Sequence, residues 1–160
     1  MITTLMLLAA VTVSSADENA ILRLVLDEYV LDPRPHPDQL FIAHTMAEGA
    51  IDTIALRVAP ATSEQIEELA ASIAENNREP IALPELPARV RRVSAVALRG
   101  DDVASYDWER VDAKAVIEVS RPGFTRDRKM AVVRVVVREP DRAKQELYFL
   151  QLVDGQWQMK

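Results

Sequence analysis

The residues best suited to chemistry lie between Arg121 and Lys129. There Arg121, Arg126, Arg128 and Lys129 crowd around a Pro122-Gly123 turn and only Asp127 opposes them. Guanidinium groups at that density can hold a carboxylate or phosphate through paired hydrogen bonds. The same residues also read as a built turn, in which Gly123 permits positive φ, Phe124 plugs a core and Asp127 caps the turn through its own backbone. A second constellation is His36, Asp38, His44 and Glu48. Its spacing matches no ligand signature, so no metal is expected, and His44 reads as a core-edge histidine with one nitrogen satisfied. An acid/base role for His44 would need a nearby carboxylate, for which Glu48 and Asp52 are the sequence candidates. Ser120 lacks a Gly-x-Ser-x-Gly elbow and neither His can be placed beside it. Asp101-Asp102 and Glu67-Glu68 are adjacent in sequence rather than opposed across a cleft, and read as a cap and a solvated helix face. No residues of a cofactor site are expected.

The 160 residues carry 25 acidic and 19 basic side chains, a formal charge of −6, with 49% hydrophobic and 5% aromatic content. Such a chain can bury a core. Without a clustered basic surface and stacking aromatics, a nucleic-acid partner is excluded as an expectation. Residues 1–80 hold 13 acidic and 4 basic side chains, a balance of −9, against 12 and 15, or +3, in residues 81–160. An acidic half packing on a basic half accounts for this, and a polar surface that steers a charged partner is the functional alternative. With no cysteine, disulfides, thiolate zinc sites and cysteine nucleophiles are absent.

These side chains depend on the elements that position them. Residues 1–16 are uncharged and apolar from Ile2 to Val13, too short to span a bilayer but the length of a secretory leader, with Ser14 and Ala16 before a cut at Asp17. A competing reading makes Ser15 to Glu18 a capping box. An amphipathic helix follows over 18–31, with Ile21, Leu22, Val25 and Leu26 on its apolar face. Pro33, Pro35 and Pro37 end it in a stiff connector. Residues 39–46 read as a strand with Leu40, Ile42, His44 and Met46 on one face. Residues 50–58 fit helix or strand equally. Thr62 to Asn77 is a helix opened by a Thr62/Gln65 capping box, and 79–87 is a loop. Residues 90–98 read as a strand, and a short helical segment follows Gly100. Strands are expected over 115–120, 130–138, 145–153 and 156–160, with Asp154-Gly155 closing the last hairpin. Their short connections require an antiparallel meander, giving an α+β fold with N-terminal helices on one face of a C-terminal sheet.

The block from Glu118 to Asp127 (Glu-Val-Ser-Arg-Pro-Gly-Phe-Thr-Arg-Asp), the Ala131-Val132-Val133 strand and the closing Asp154-Gly155-Gln156-Trp157 resemble a family of small exported bacterial α+β domains. Leu26-Asp27 and Phe41 to Thr45 add weaker similarity, with His44 where the family has Asp. The family's Cys-Gly turn is replaced by Glu139-Pro140-Asp141-Arg142. The resemblance implies the fold and export, to the periplasm or outside the cell, and no reaction. The expectation is therefore an exported binding domain over residues 17–160, without a membrane span after processing. Its partner would be a protein or a small anionic ligand met by Arg121, Arg126, Arg128 or His44. The alternative is a small hydrolase-like enzyme of cystatin-like or nuclear-transport-factor-like shape, with His44 as acid/base.

Overall fold

The computed structural model describes residues 16–28, 39–45, 56–57, 60–86, 90–98 and 106–160. Residues 16–28 are helical (α1), as are Ser63–Asn76 (α2) and the short Ala95–Leu98 (α3). Among the described residues seven strands form one sheet: β1 Gln39–Ile42, β2 Arg91–Val93, β3 Ala115–Val119, β4 Gly123–Phe124, β5 Met130–Arg138, β6 Ala143–Val153 and β7 Gln156–Met159. The order is β2-β1-β3-β5-β6-β7, and β4 continues the line of β3 along β5. The fold is α+β with a mostly antiparallel, mixed sheet.

Two parallel pairs enlarge the meander: β1 lies between β2 and β3, with Leu40 opposite both Arg91 and Val116. A parallel pair needs a long crossover. The segments after β1 are long enough to provide one, which short-range turn signals cannot reveal. The Asp154-Gly155 hairpin has φ of 49° and 78° at its two central residues, as a type I′ turn requires.

Alternation along the strands sends apolar residues to both faces. On one, Phe41, Ile117, Val119, Phe124, Val133 and Trp157 share a buried cluster with Ile21, Leu22, Val25 and Leu26 of α1. On the other, Leu69 and Ile73 of α2 meet Val132. Further along that face, Leu40, Ile42 and Val116 meet Leu98 and Val111. Buried helix residues thus belong to clusters on both faces, where the sequence pattern placed the helices on one. Complete burial of Leu69 and of its equivalents in α1 contributes about 1.5–3 kcal/mol each.

The segment expected as a strand over 90–98 divides instead. After β2, Ala97 N donates to Ser94 O at 3.0 Å and the chain turns helical, so that Leu98 reaches the core while Val96 is 77% exposed. Ala95 and Leu98, three residues apart, suit a helical turn against that cluster as well as Val96 and Leu98, two apart, suit a strand. Residues 1–15, the proline connector, 46–55 and 99–105 lie outside the described residues.

Candidate functional site

Residues 121–130 form a strip along the sheet edge at β4, and α2 supplies the partners this edge lacks. Glu68, Ser72 and Asn76 stand four residues apart on α2, an advance of about 6 Å per step. Alternate residues of an extended chain advance about 6.7 Å. The two periods match closely enough for a row of bonds: Arg126 N donates to Glu68 Oε2 (3.1 Å), Phe124 N to Ser72 Oγ (2.8 Å), and Asn76 Nδ2 to Pro122 O (2.7 Å). Asn77, the C-cap of α2, then treats Arg121 as a neighbouring strand would. Its Oδ1 accepts from Arg121 N at 2.7 Å and its Nδ2 donates to Arg121 O at 3.1 Å.

Gly123 is where helix and strip come closest. A Cβ there would lie 2.7 Å from both Ile73 N and Leu69 O, so the helix backbone itself occupies the space of a side chain. Its role is close approach, which corrects the expectation of positive φ. The positive φ of this turn falls on Arg128, at 55°. A non-glycine residue held there costs on the order of 1–3 kcal/mol.

The three candidate arginines are brought to one strip, and each has a carboxylate partner. Arg121 donates from Nη2 to Glu18 Oε1 and Oε2 at 2.8 and 3.1 Å and from Nη1 to Glu79 O at 3.0 Å. With 17% of the Arg121 side chain and 4% of the Glu18 side chain exposed, this pair is removed from water and ties α1 to the strip. Glu18 thus spends its carboxylate on Arg121, and Ser15, the other half of the capping box read from the sequence, lies outside the described residues. Arg126 is 85% exposed and reaches Glu68 at 3.3 Å. Arg128 lies 4.4 Å over the Phe124 ring and 3.4 Å from Asp17, which also accepts from Trp157 Nε1 at 3.3 Å. Asp127 accepts from the Thr125 hydroxyl at 2.7 Å and from Lys129 N at 3.0 Å, and these bonds hold its carboxyl below the usual 3.8. Its stabilising contribution is present above that value and is lost as pH falls through the lower folded-state one.

Between the exposed side of α2 and this turn runs a groove of about 650 Å³. Glu64, Glu67 and Ala71 line one wall, Thr125, Arg126 and Arg128 the other. The sequence implies a solvated helix face for Glu68, yet its side chain is only 15% exposed because it serves the strip. The i, i+4 row of Glu68, Ser72 and Asn76 is the signal that would have found it.

His44 is apart from the groove. It is exposed and makes an isolated bridge with Ala82, because the chain leaves β1 at Ile42 and turns to pair with the 81–83 segment. Thr45 N donates to Ile81 O at 2.8 Å and Leu83 N to Ala43 O at 2.9 Å. This corrects the core-edge placement of His44. Glu48 and Asp52 lie outside the described residues. Ser120 is buried at the end of β3, where its Oγ accepts from Arg134 N at 2.9 Å. Among the described residues no group of three or more His, Asp or Glu side chains is placed to hold a metal ion. No described helix is long and apolar enough to cross a membrane.

A second carboxylate is buried without a local sequence signal that marks it. Glu118, 3% exposed on β3, accepts from the Tyr106 hydroxyl at 2.5 Å and from Arg138 Nε at 2.7 Å. It pins the 106–111 segment to the sheet, as Glu18 pins α1. No family model, curated protein or solved structure matches the chain.

Proposed function

We propose that the chain is an exported binding domain that acts without catalysis, its two longer N-terminal helices packed on the C-terminal meander. Its groove between α2 and the 124–128 turn receives a charged segment of a partner protein. The groove itself is the observation that carries this reading. Its walls present exposed Glu64 and Glu67 on one side and the 85% exposed Arg126 on the other, which suits an extended segment bearing both signs of charge. The hydroxyls there argue against nucleophilic chemistry. Ser72 is already an acceptor for Phe124 N, and Thr125 donates to a carboxylate whose lowered pKa makes it a poor base.

Export rests on the uncharged leader and on the resemblance to small exported domains. A chain beginning at Asp17 would keep both carboxylates that anchor α1, Asp17 and Glu18. Amino-terminal sequencing from the native host is expected to start at Asp17, and an intact Met1 would contradict export.

The binding reading is tested by backbone amide spectra during titration with a short peptide alternating Lys and Asp, and with a neutral Gly-Ser control. Shifts are expected at Ala71, Ser72, Thr125 and Arg126 for the charged peptide alone, and their loss in Ala71→Trp, which fills the groove. No shift at those residues, or shifts indifferent to Ala71→Trp, would overturn it.

A further inference from the structure

The outer edge of β6 is longer than the strand that covers it. β6 has 11 residues, and β7 pairs only with the stretch from Leu150 to Val153. Which backbone groups this leaves facing outward follows from the alternation of an antiparallel ladder. Leu152 N donates to Lys129 O, and Glu139 N to Arg142 O, both at 2.8 Å, so even-numbered residues of β6 turn their backbone toward β5. Lys160 N donates to Phe149 O at 2.9 Å, so odd-numbered residues turn theirs toward β7. Ala143, Gln145 and Leu147 therefore direct N–H and C=O away from β5, beyond the end of β7. Among the described residues no strand pairs with them, and Ala143, Lys144 and Gln145 are exposed.

We infer that a second copy of this chain docks here, β6 against β6 in antiparallel sense, about a twofold axis perpendicular to the sheet that passes midway between the two Gln145 residues. Charge complementarity selects this occupant. With Gln145 opposite Gln145 of the second copy, Lys144 faces Glu146 of the second copy and Glu146 faces its Lys144. Within one strand Lys144 Nζ is already 2.6 Å from Glu146 Oε1, so the two strands together set four alternating charges on one face. Both cross-strand pairs fall at non-hydrogen-bonded positions, where side chains approach most closely. On the other face Ala143 meets Leu147 of the second copy. The register is specified as well as allowed. One step either way places Lys144 against Lys144 or Glu146 against Glu146, and like charges directly opposite are destabilising. The result is an isologous interface that continues the sheet and leaves neither copy's β6 edge open.

Sedimentation equilibrium over a range of protein concentrations tests this. The unmodified chain is expected to dimerise. Gln145→Pro should be monomeric with an unchanged far-UV spectrum, because its N–H faces away from β5 and proline there removes no bond within the chain. Lys144→Glu and Glu146→Lys should each weaken the dimer roughly tenfold, and the double variant should restore it, since the four charges then alternate again. Should Gln145→Pro fail to fold, the charge reversals and their rescue decide alone. A monomer at every concentration, a dimer indifferent to Gln145→Pro in the folded variant, or a double variant no tighter than the single ones would overturn the inference.

Discussion

The 121–126 strip and the 143–147 strip are both outer edges of one sheet, and they are finished in opposite ways. Along the first, Ser72 and Glu68 accept from outward N–H groups and Asn76 and Asn77 donate to carbonyls, while Arg121 is held by Glu18. Along the second, the outward backbone of Gln145 and Leu147 meets no strand among the described residues. An edge supplied with side-chain partners is closed to further pairing, whereas one with bare backbone remains a template for it. The difference also reassigns the arginines. Charge density in a sequence overstates binding capacity where the charges are withdrawn from water against internal partners: Arg126 stays 85% exposed beside Glu68, whereas Arg121 is only 17% exposed, with its guanidinium on the Glu18 carboxylate and the Glu79 carbonyl.

Substitutions on the closed edge sharpen that contrast. The largest effect is expected for Arg121→Ala, which leaves the Glu18 carboxylate buried without its counter-charge. Removing one partner of such a pair costs about 3–5 kcal/mol, read as a fall in denaturation midpoint. A loss below about 1 kcal/mol, typical of exposed pairs, would show that Glu18 holds Arg121 no more firmly than a surface partner would. Next comes Gly123→Ala, whose methyl group must displace the α2 backbone rather than a flexible side-chain end. Overpacking of this kind costs about 1–3 kcal/mol, and an unchanged midpoint would show that α2 does not rest on the strip. The smallest is Arg126→Ala. Its pair with Glu68 is 85% exposed on the arginine side, and the backbone N–H that Glu68 accepts survives the change. A shift within about 0.5 kcal/mol is expected, so any loss of peptide binding in this variant reports on the groove rather than on stability.

How much of this was legible depends on the range of the interactions. The Thr62/Gln65 box, the Asp154-Gly155 turn and the 115–160 strands are local patterns, and each appears where the residues imply it. The parallel pairing of β1 was not legible, since it joins Leu40 to Arg91 and Val116 across long stretches of chain. Neither was the burial of Glu18 and Glu118, because a carboxylate looks the same in sequence whether or not an arginine 103 residues away, as Arg121 is from Glu18, meets it in the fold. Gly123 was read as a turn glycine because it follows proline, but only the packed helix shows that its missing Cβ is needed for close approach. Of the candidate site, the arginine strip was visible. Its partners Glu68, Ser72 and Asn76 lay hidden in a helix whose apolar stripe drew the reading to the opposite face.

Amide hydrogen exchange at low and high protein concentration tests the contrast between the two edges most directly. Phe124 and Arg121, whose N–H groups are bonded to Ser72 and Asn77, are expected to exchange slowly at both concentrations. Gln145 and Leu147 should exchange fast when dilute and gain protection as copies associate. Fast exchange at Phe124, or protection of Gln145 that is already complete in dilute solution, would contradict that contrast.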